Sequence, residues 1–325
     1  MHERAKKFLE GKSEILLVLG DSGAGKSTFG LRLENELWEE YEPGGPIPLF
    51  IDLKTIDIPD KDMIHQHLDD FCLFTDHQIE DMQLSRRFVL ICDGYDEYRK
   101  WTNLHTKNHF NRHRHWRAKM IISCRTQYLE PDYRNCFEPE TTTAGNPDFS
   151  QLSDLFEELM IVPLRTAQIK EYVELFTHVP RIPDHLSDVP MWTTDQYMER
   201  LRSITHLIEL AQNHFMLKMI LDVLPKIAKT TTSMTRGDLY DRFVELHFEW
   251  EQRRLIKQLS NSKMENATLS VFASLKNDDL FDLGQDFSKR LSCCIFKEQR
   301  VSIRWPTQPL WIAGRGRKHS LVLTL

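Results

Sequence analysis

Ile15-Leu-Leu-Val-Leu-Gly-Asp-Ser-Gly-Ala-Gly-Lys-Ser-Thr28 is the stretch around which the chain is organised. The apolar run Ile15 to Leu19 predicts a buried strand, the run breaks at Gly20, and the residues after Lys26 predict a helix. Gly20-x-x-x-x-Gly25-Lys26-Ser27 is the P-loop pattern. A loop that wraps a phosphate must turn successive backbone N–H groups inward, and side chains obstruct this, so Gly20, Gly23 and Gly25 suit it. The following helix adds free N–H groups and the positive end of its dipole. Lys26 is placed to reach the β- and γ-phosphates, and the Ser27 hydroxyl to ligate Mg²⁺.

Outward from this stretch, Pro48–Leu53, Arg87–Asp93, Ala118–Cys124 and Leu159–Pro163 read as further strands. Helical spacing lies between them, at Phe29, Leu31, Leu33 and Leu37 and at Ile64, Leu68 and Phe71. Trp101–Trp116 reads as a helix or a helix and loop, and 130–158 as an irregular excursion. Strands alternating with helices imply an α/β fold, a parallel sheet flanked by helices, with its ligand at the carboxyl ends of the strands. From residue 166 the pattern is mostly helical, and Thr235-x-x-Asp238 can cap a helix burying Leu239, Phe243, Leu246 and Trp250. The expected division is 1–165 for nucleotide binding, 166–230 helical, and 231–325 a partial winged-helix-like region with a short strand near Val301–Arg304.

Two further groups belong with the P-loop. Phe88-Val-Leu-Ile-Cys-Asp93-Gly-Tyr-Asp96-Glu97 is a buried strand ending in an acid, the Walker B arrangement. Asp93 is expected beside Mg²⁺, and Asp96 or Glu97 to orient or deprotonate an attacking water, with the sequence unable to rank the two. Arg125 ends the next strand, where it can reach a γ-phosphate or pair with nearby acids.

Gly20-Asp-Ser-Gly-Ala-Gly-Lys-Ser-Thr28, Asp93-Gly-Tyr-Asp-Glu97 and Ile121-Ile-Ser-Cys-Arg125 together resemble the NACHT branch of the STAND nucleoside triphosphatases, which includes the NOD-like receptors. A small residue after the Walker B Asp, followed by two acids, marks this branch. The resemblance implies ATP/ADP and Mg²⁺ as ligands. It implies contacts from Gly20, Asp21, Ser22, Gly23, Ala24, Gly25, Lys26, Ser27 and Thr28, and catalytic roles for Asp96, Glu97 and Arg125. It extends more loosely through Leu207–Leu217 and Thr235–Leu255. There His214 stands where the family has a Pro that packs on adenine, and its imidazole can stack on the base instead. The winged-helix His of the family has no clear counterpart. The resemblance also implies a homo-oligomer in the ATP state. It implies protein partners or effector and sensor domains too, as for the motor of a larger switch.

The 325 residues are 41% apolar and 28% charged, with a formal net charge of −6, which argues against nucleic-acid binding by the chain as a whole. No apolar segment reaches the roughly 20 residues of a membrane span, and no secretory leader is legible, so a cytoplasmic location is expected. Of the six cysteines, Cys92 and Cys124 read as reduced core residues, and adjacent Cys293-Cys294 suits neither a zinc knuckle nor a simple disulfide. His105, His109 and His113 would share a helix face, either as a metal site or as part of the basic solvated stretch from Arg99 to Arg125. Phe71 and Phe74 read as core.

Three functions remain open from these residues. One is a slowly hydrolysing ATP switch, another a metabolic P-loop kinase or ATPase, and the third a hydrolysis-deficient nucleotide-binding scaffold. GTP and transporter chemistry are disfavoured, because neither Asn-Lys-x-Asp nor Leu-Ser-Gly-Gly-Gln occurs.

Overall fold

The structure, a computed structural model, describes residues 1–98, 100–139, 155–178, 192–227, 231–261, 286, 289–290, 293, 302–304 and 322–324. The chain forms two compact units, Met1–Ile169 with Ala211–Lys218, and Lys170–Leu210 with Met219–Leu325.

In the first unit, β1 (Ile15–Leu19), β2 (Ile47–Asp52), β3 (Arg87–Asp93), β4 (Arg117–Cys124) and β5 (Phe156–Met160) form one sheet in the order β2-β3-β4-β1-β5. Every neighbouring pair is parallel. β1 is buried at all five positions, and β3 and β4 nearly so, as strands covered on both faces must be. One face packs Leu17, Leu90, Ile122 and Trp116, and the other packs Val18, Ile91 and Ile121 against Phe8, Phe29 and Leu33. Phe8 lies on α1 (His2–Glu10), and Phe29 and Leu33 on α2 (Lys26–Glu39). Because β4 lies between β1 and β3, its carboxyl end sits between the P-loop and the end of the Walker B strand.

Some expectations shift. β5 starts at Phe156 rather than Leu159, and pairing runs on to Ile161, whose N–H donates to Leu19 O at 2.8 Å. Glu157 and Glu158 disguise this edge strand. Their carboxylates accept from the Ser13 hydroxyl and from the Tyr133 hydroxyl. Helix α3 (Met63–Asp70) ends before Phe71, which is 53% exposed rather than core. The chain turns out through Leu73, at φ 56°. Helix α4 (Asp76–Ser85) has no counterpart among the expectations, although Gln78 accepts the Thr75 N–H at 2.9 Å in a capping box. Between Trp101 and Trp116 only α5 (Leu104–Lys107) is helical. Left-handed His109, Asn111 and Arg114 then turn the chain, so the three histidines share no face. His105 is buried against Glu14 at 3.1 Å, and the His109 ring packs at a tilt against His115. Among the described residues no group of His, Cys, Asp or Glu could hold a metal ion.

In the second unit, α6 (Thr166–His178) contributes Val173, and α7 (Thr194–Ser203) and α8 (Leu207–Leu210) bury Tyr197, Met198, Leu201 and Leu207. α6 begins in the first unit, and so does α9 (His214–Val223). α10 (Arg236–Asn261) starts with the expected cap: Thr235 N–H donates to Asp238 at 2.8 Å, and Asp238 N–H to the Thr235 hydroxyl at 3.2 Å. Leu239 is buried, Phe243 and Leu246 half-buried, and the Trp250 side chain lies outside the described residues. β6 (Ser302–Arg304) pairs with β7 (Val322–Thr324) antiparallel. Cys294 and most of 300–325 lie outside the described residues, as do 140–154 of the irregular excursion.

Candidate nucleotide-binding site

The P-loop leaves β1 at Gly20 and enters α2 at Lys26. Gly23 and Gly25 have φ of +73° and +94°, left-handed values at which an L side chain is strained. A Cβ on Gly25 would meet nothing nearer than 3.9 Å, so the inner space there is open. Among the described residues no side chain caps the start of α2, which leaves its first N–H groups for a ligand. Asp21, Ser22, Ser27 and Thr28 are exposed, and Ala24 is half-buried. The Lys26 ammonium donates to Gly20 O at 2.8 Å and Asp21 O at 3.0 Å, lying across the loop. Burial pulls its pKa below the ordinary lysine value, with Asp96 the strongest opposing influence.

Asp93 ends β3. Its Oδ1 accepts from the Ser123 hydroxyl at 2.5 Å, and the same hydroxyl accepts the Gly94 N–H at 3.0 Å. No hydrogen bond reaches Oδ2 among the described residues. One carboxylate oxygen and the exposed Ser27 hydroxyl make the donor set Mg²⁺ prefers. It takes few protein ligands and completes its shell with phosphate and water. The residues fit that ion. When bound, it would neutralise charge developing on the phosphates.

Asp96 and Glu97 sit on the 3₁₀ turn Tyr95–Glu97, held by buried Tyr95, whose hydroxyl donates to Thr102 O at 2.7 Å. Both acids converge on Arg125. Its backbone N–H donates to Asp96 Oδ1 at 2.9 Å, its Nε lies 3.1 Å from Asp96 Oδ2, and its Nη2 donates to Glu97 Oε1 at 2.9 Å. The Asp96 side chain is only 2% exposed, against 28% for Glu97. The two acids, unranked by sequence, thus differ: one is enclosed by Arg125 and the other faces outward. Lys54 lies 3.4 Å from Asp52 and 4.0 Å from Glu97, a further cation at the strand ends.

The segment Gln212–Phe215 lies on the P-loop within the same unit. Asn213 Nδ2 donates to Ser22 O at 2.9 Å, and Phe215 N–H donates to Gly23 O at 3.1 Å. His214 is half-buried near Gly25, and burial lowers its pKa below the ordinary histidine value. The structure therefore brings every candidate residue to one end of the sheet. It adds Ser123, Lys54, Asn213 and Thr126, whose hydroxyl donates to Asp21 Oδ1 at 2.6 Å. Ser123 was legible as the one hydroxyl in an otherwise apolar strand end; the other three carry no pattern of their own.

The family model of the NACHT domain matches residues 14–179, just over half of the chain. The chain belongs to the NACHT domain family. In this NACHT protein the P-loop, the Walker B strand and Arg125 all fall inside the matched region, and Asn213 and His214 lie beyond it. The sheet and loop together make it a nucleotide-binding P-loop NTPase by fold. No curated protein matches the sequence. Among solved structures, the chain is similar to DnaA of Aquifex aeolicus bound to AMPPCP, at 12% identity and a TM-score of 0.33, covering 92% of this chain and 88% of that one. It is similar to C. elegans PCH-2 at 13% identity and a TM-score of 0.31, covering 74% and 61%. The cytoplasmic domain of the Type VII secretion ATPase EccC of Thermomonospora curvata matches at 16% identity and a TM-score of 0.24, covering 38% of this chain. The chain spans 18% of that protein's length.

Proposed function

We propose that this NACHT protein binds ATP with Mg²⁺, hydrolyses it slowly, and uses the nucleotide state as a switch. The observation that carries this reading is the triple contact of Arg125 with Asp96 and Glu97 beside the P-loop. The two ion pairs use the Nε hydrogen and one Nη2 hydrogen, so three of the five guanidinium N–H donors are left for a γ-phosphate that is present only in the ATP state. The contacts of Arg125 therefore differ between nucleotide states, which is what a two-state device requires. The P-loop and Lys26 bind the phosphates, and Ser27 and Asp93 hold the ion. Glu97, the more open acid, orients the attacking water and takes its proton, while Asp96 holds Arg125 in place. His214 takes the base. Self-association in the ATP state and control of protein partners follow from a switch of this kind. No helix among the described residues is long and apolar enough to cross a membrane.

A second reading, a nucleotide-binding scaffold without hydrolysis, is favoured by the same ion pairs if Arg125 stays on the acids alone. Nucleotide content of the purified protein, read by mass after denaturation, with single-turnover hydrolysis of radiolabelled ATP, tests both. Bound ADP and slow turnover support the switch. Bound ATP without turnover supports the scaffold, and bound GDP refutes the base assignment. Turnover only with a small acceptor present would make the protein a kinase.

A further inference from the structure

Asn213 uses both ends of its amide. Its Oδ1 accepts from the N–H groups of Phe215 and Met216, each at 3.1 Å, which caps α9. Its Nδ2 reaches 191 residues back to Ser22 O at 2.9 Å. One residue further along the loop, Phe215 N–H holds Gly23 O at 3.1 Å. The fit is close: a Cβ on Gly23 would lie 2.8 Å from Phe215 Cβ and 2.9 Å from Asn213 Oδ1. The segment is tied down on its other side, where Leu164 N–H donates to Gln212 O at 2.8 Å.

A trans peptide is planar, with its carbonyl and the following N–H pointing opposite ways. Drawing the Ser22 carbonyl toward Asn213 therefore turns the Gly23 N–H away from it. Drawing the Gly23 carbonyl toward Phe215 does the same for the Ala24 N–H, which closes a turn on Asp21 O at 3.1 Å. The Gly23 N–H makes no hydrogen bond to another described residue, and its direction is set by the carbonyl contacts of Ser22 and Gly23 on either side of it. Gly23 is half-buried, so its N–H is open to a ligand at the loop.

We infer that Asn213 is a positioning residue for the phosphate: its amide fastens the start of α9 to the outer side of the P-loop and so aims the Gly23 N–H at the bound anion. The inference rests on the nucleotide-binding reading above and concerns a residue outside the three motifs. It also gives α9 a direct hold on phosphate affinity, since anything that moves Asn213 releases the Ser22 carbonyl.

Side-chain chemistry separates this role from capping. Asn213→Ser keeps an N-cap oxygen but removes the donor to Ser22. Asn213→Asp keeps the cap and sets an oxygen against the Ser22 carbonyl. Asn213→Ala loses both functions. Titration calorimetry with ADP, inorganic pyrophosphate and adenosine is run on these proteins, with thermal denaturation alongside. In Asn213→Ser, ADP and pyrophosphate should bind about threefold to tenfold more weakly, the worth of one ordinary hydrogen bond, with adenosine binding unchanged and the melting temperature lowered less than in Asn213→Ala. Asn213→Asp should lose more affinity for both anions, its added negative charge acting alongside the lost donor, and Asn213→Ala, which also loses the cap, should melt lower than Asn213→Ser. ADP and pyrophosphate binding at the unmutated level in Asn213→Ser would overturn the inference while leaving nucleotide binding intact. An equal loss for adenosine and ADP would overturn it too, placing Asn213 at the base. Unmutated protein that binds neither ADP nor pyrophosphate would remove the nucleotide reading itself.

Discussion

Asp96→Asn set beside Glu97→Gln separates a holding carboxylate from a reacting one. The Asp96 side chain is 2% exposed and takes two bonds from Arg125, at 2.9 Å and 3.1 Å. An amide in its place can accept one of them, and its NH₂ group then confronts a guanidinium N–H. Breaking a buried pair costs about 3–5 kcal/mol; here Arg125 keeps Glu97 and some access to water, which reduces the figure to about 2–3 kcal/mol. At about 2–4 °C per kcal/mol, Asp96→Asn should melt roughly 4–12 °C lower. Glu97 is 28% exposed and takes a single short bond from Arg125, so Glu97→Gln should cost at most ~1 kcal/mol. Hydrolysis should respond in the opposite order. Losing general-base help slows a step by about 10²–10⁴-fold, so Glu97→Gln should bind ATP and accumulate it. Thermal denaturation and single-turnover hydrolysis of radiolabelled ATP read the two effects on the same preparations. If Glu97→Gln destabilises more than Asp96→Asn, or hydrolyses at the unmutated rate, the division of labour read from burial is wrong. If neither variant slows hydrolysis, both acids are structural partners of Arg125.

Lys26→Ala should fold and lose roughly tenfold to a hundredfold in ATP affinity by calorimetry, since it removes a charged hydrogen bond to phosphate. His214→Ala should weaken ATP and ADP alike if the ring stacks on the base; if the ring only fills space, stability falls and affinity measured at low temperature does not. Ser123→Ala deletes the bond that orients Asp93, and should lower Mg²⁺-dependent ATP affinity while leaving Mg²⁺-free binding unchanged, read by titration with and without chelator. Glu14 is held below the ordinary carboxylate range chiefly by its bond to His105. A depressed carboxylate adds stability that is full above its unfolded pKa, about 4.3, and is lost as pH falls from there through the folded value. Glu14→Gln should therefore flatten the acid side of the melting-temperature profile, and an unchanged slope below about pH 4.3 would show the pair to be idle.

Much of the candidate nucleotide site is legible in the sequence because its pattern is local. A P-loop is a run of consecutive residues, and glycine spacing with an apolar strand before it and a helix after it encodes the geometry directly, as Gly20 to Thr28 show. The Walker B strand and Arg125 were legible for a similar reason: a fully buried strand is apolar throughout, so the polar residue at its end stands out. The histidine-rich stretch misled because periodicity alone ignores backbone sign. Left-handed His109, Asn111 and Arg114 break the helix that i, i+4, i+8 spacing suggests. Phe71 misled because i+7 spacing takes in the capping residue of α3: its N–H still bonds His67 O, but its ring lies 53% exposed where the chain turns out.

Pairings across the chain were decided by the tertiary structure alone. Asp96 and Glu97 are adjacent and chemically alike, and only the approach of Arg125 from β4 encloses one and leaves the other open. Asn213 lies 191 residues from Ser22, and nothing in an Asn-His-Phe tripeptide announces a loop partner. Local patterns specify what a segment does with its own backbone. Which side chains meet depends on sheet order, here β4 inserted between β1 and β3, and that order comes from burying both faces of the whole sheet at once.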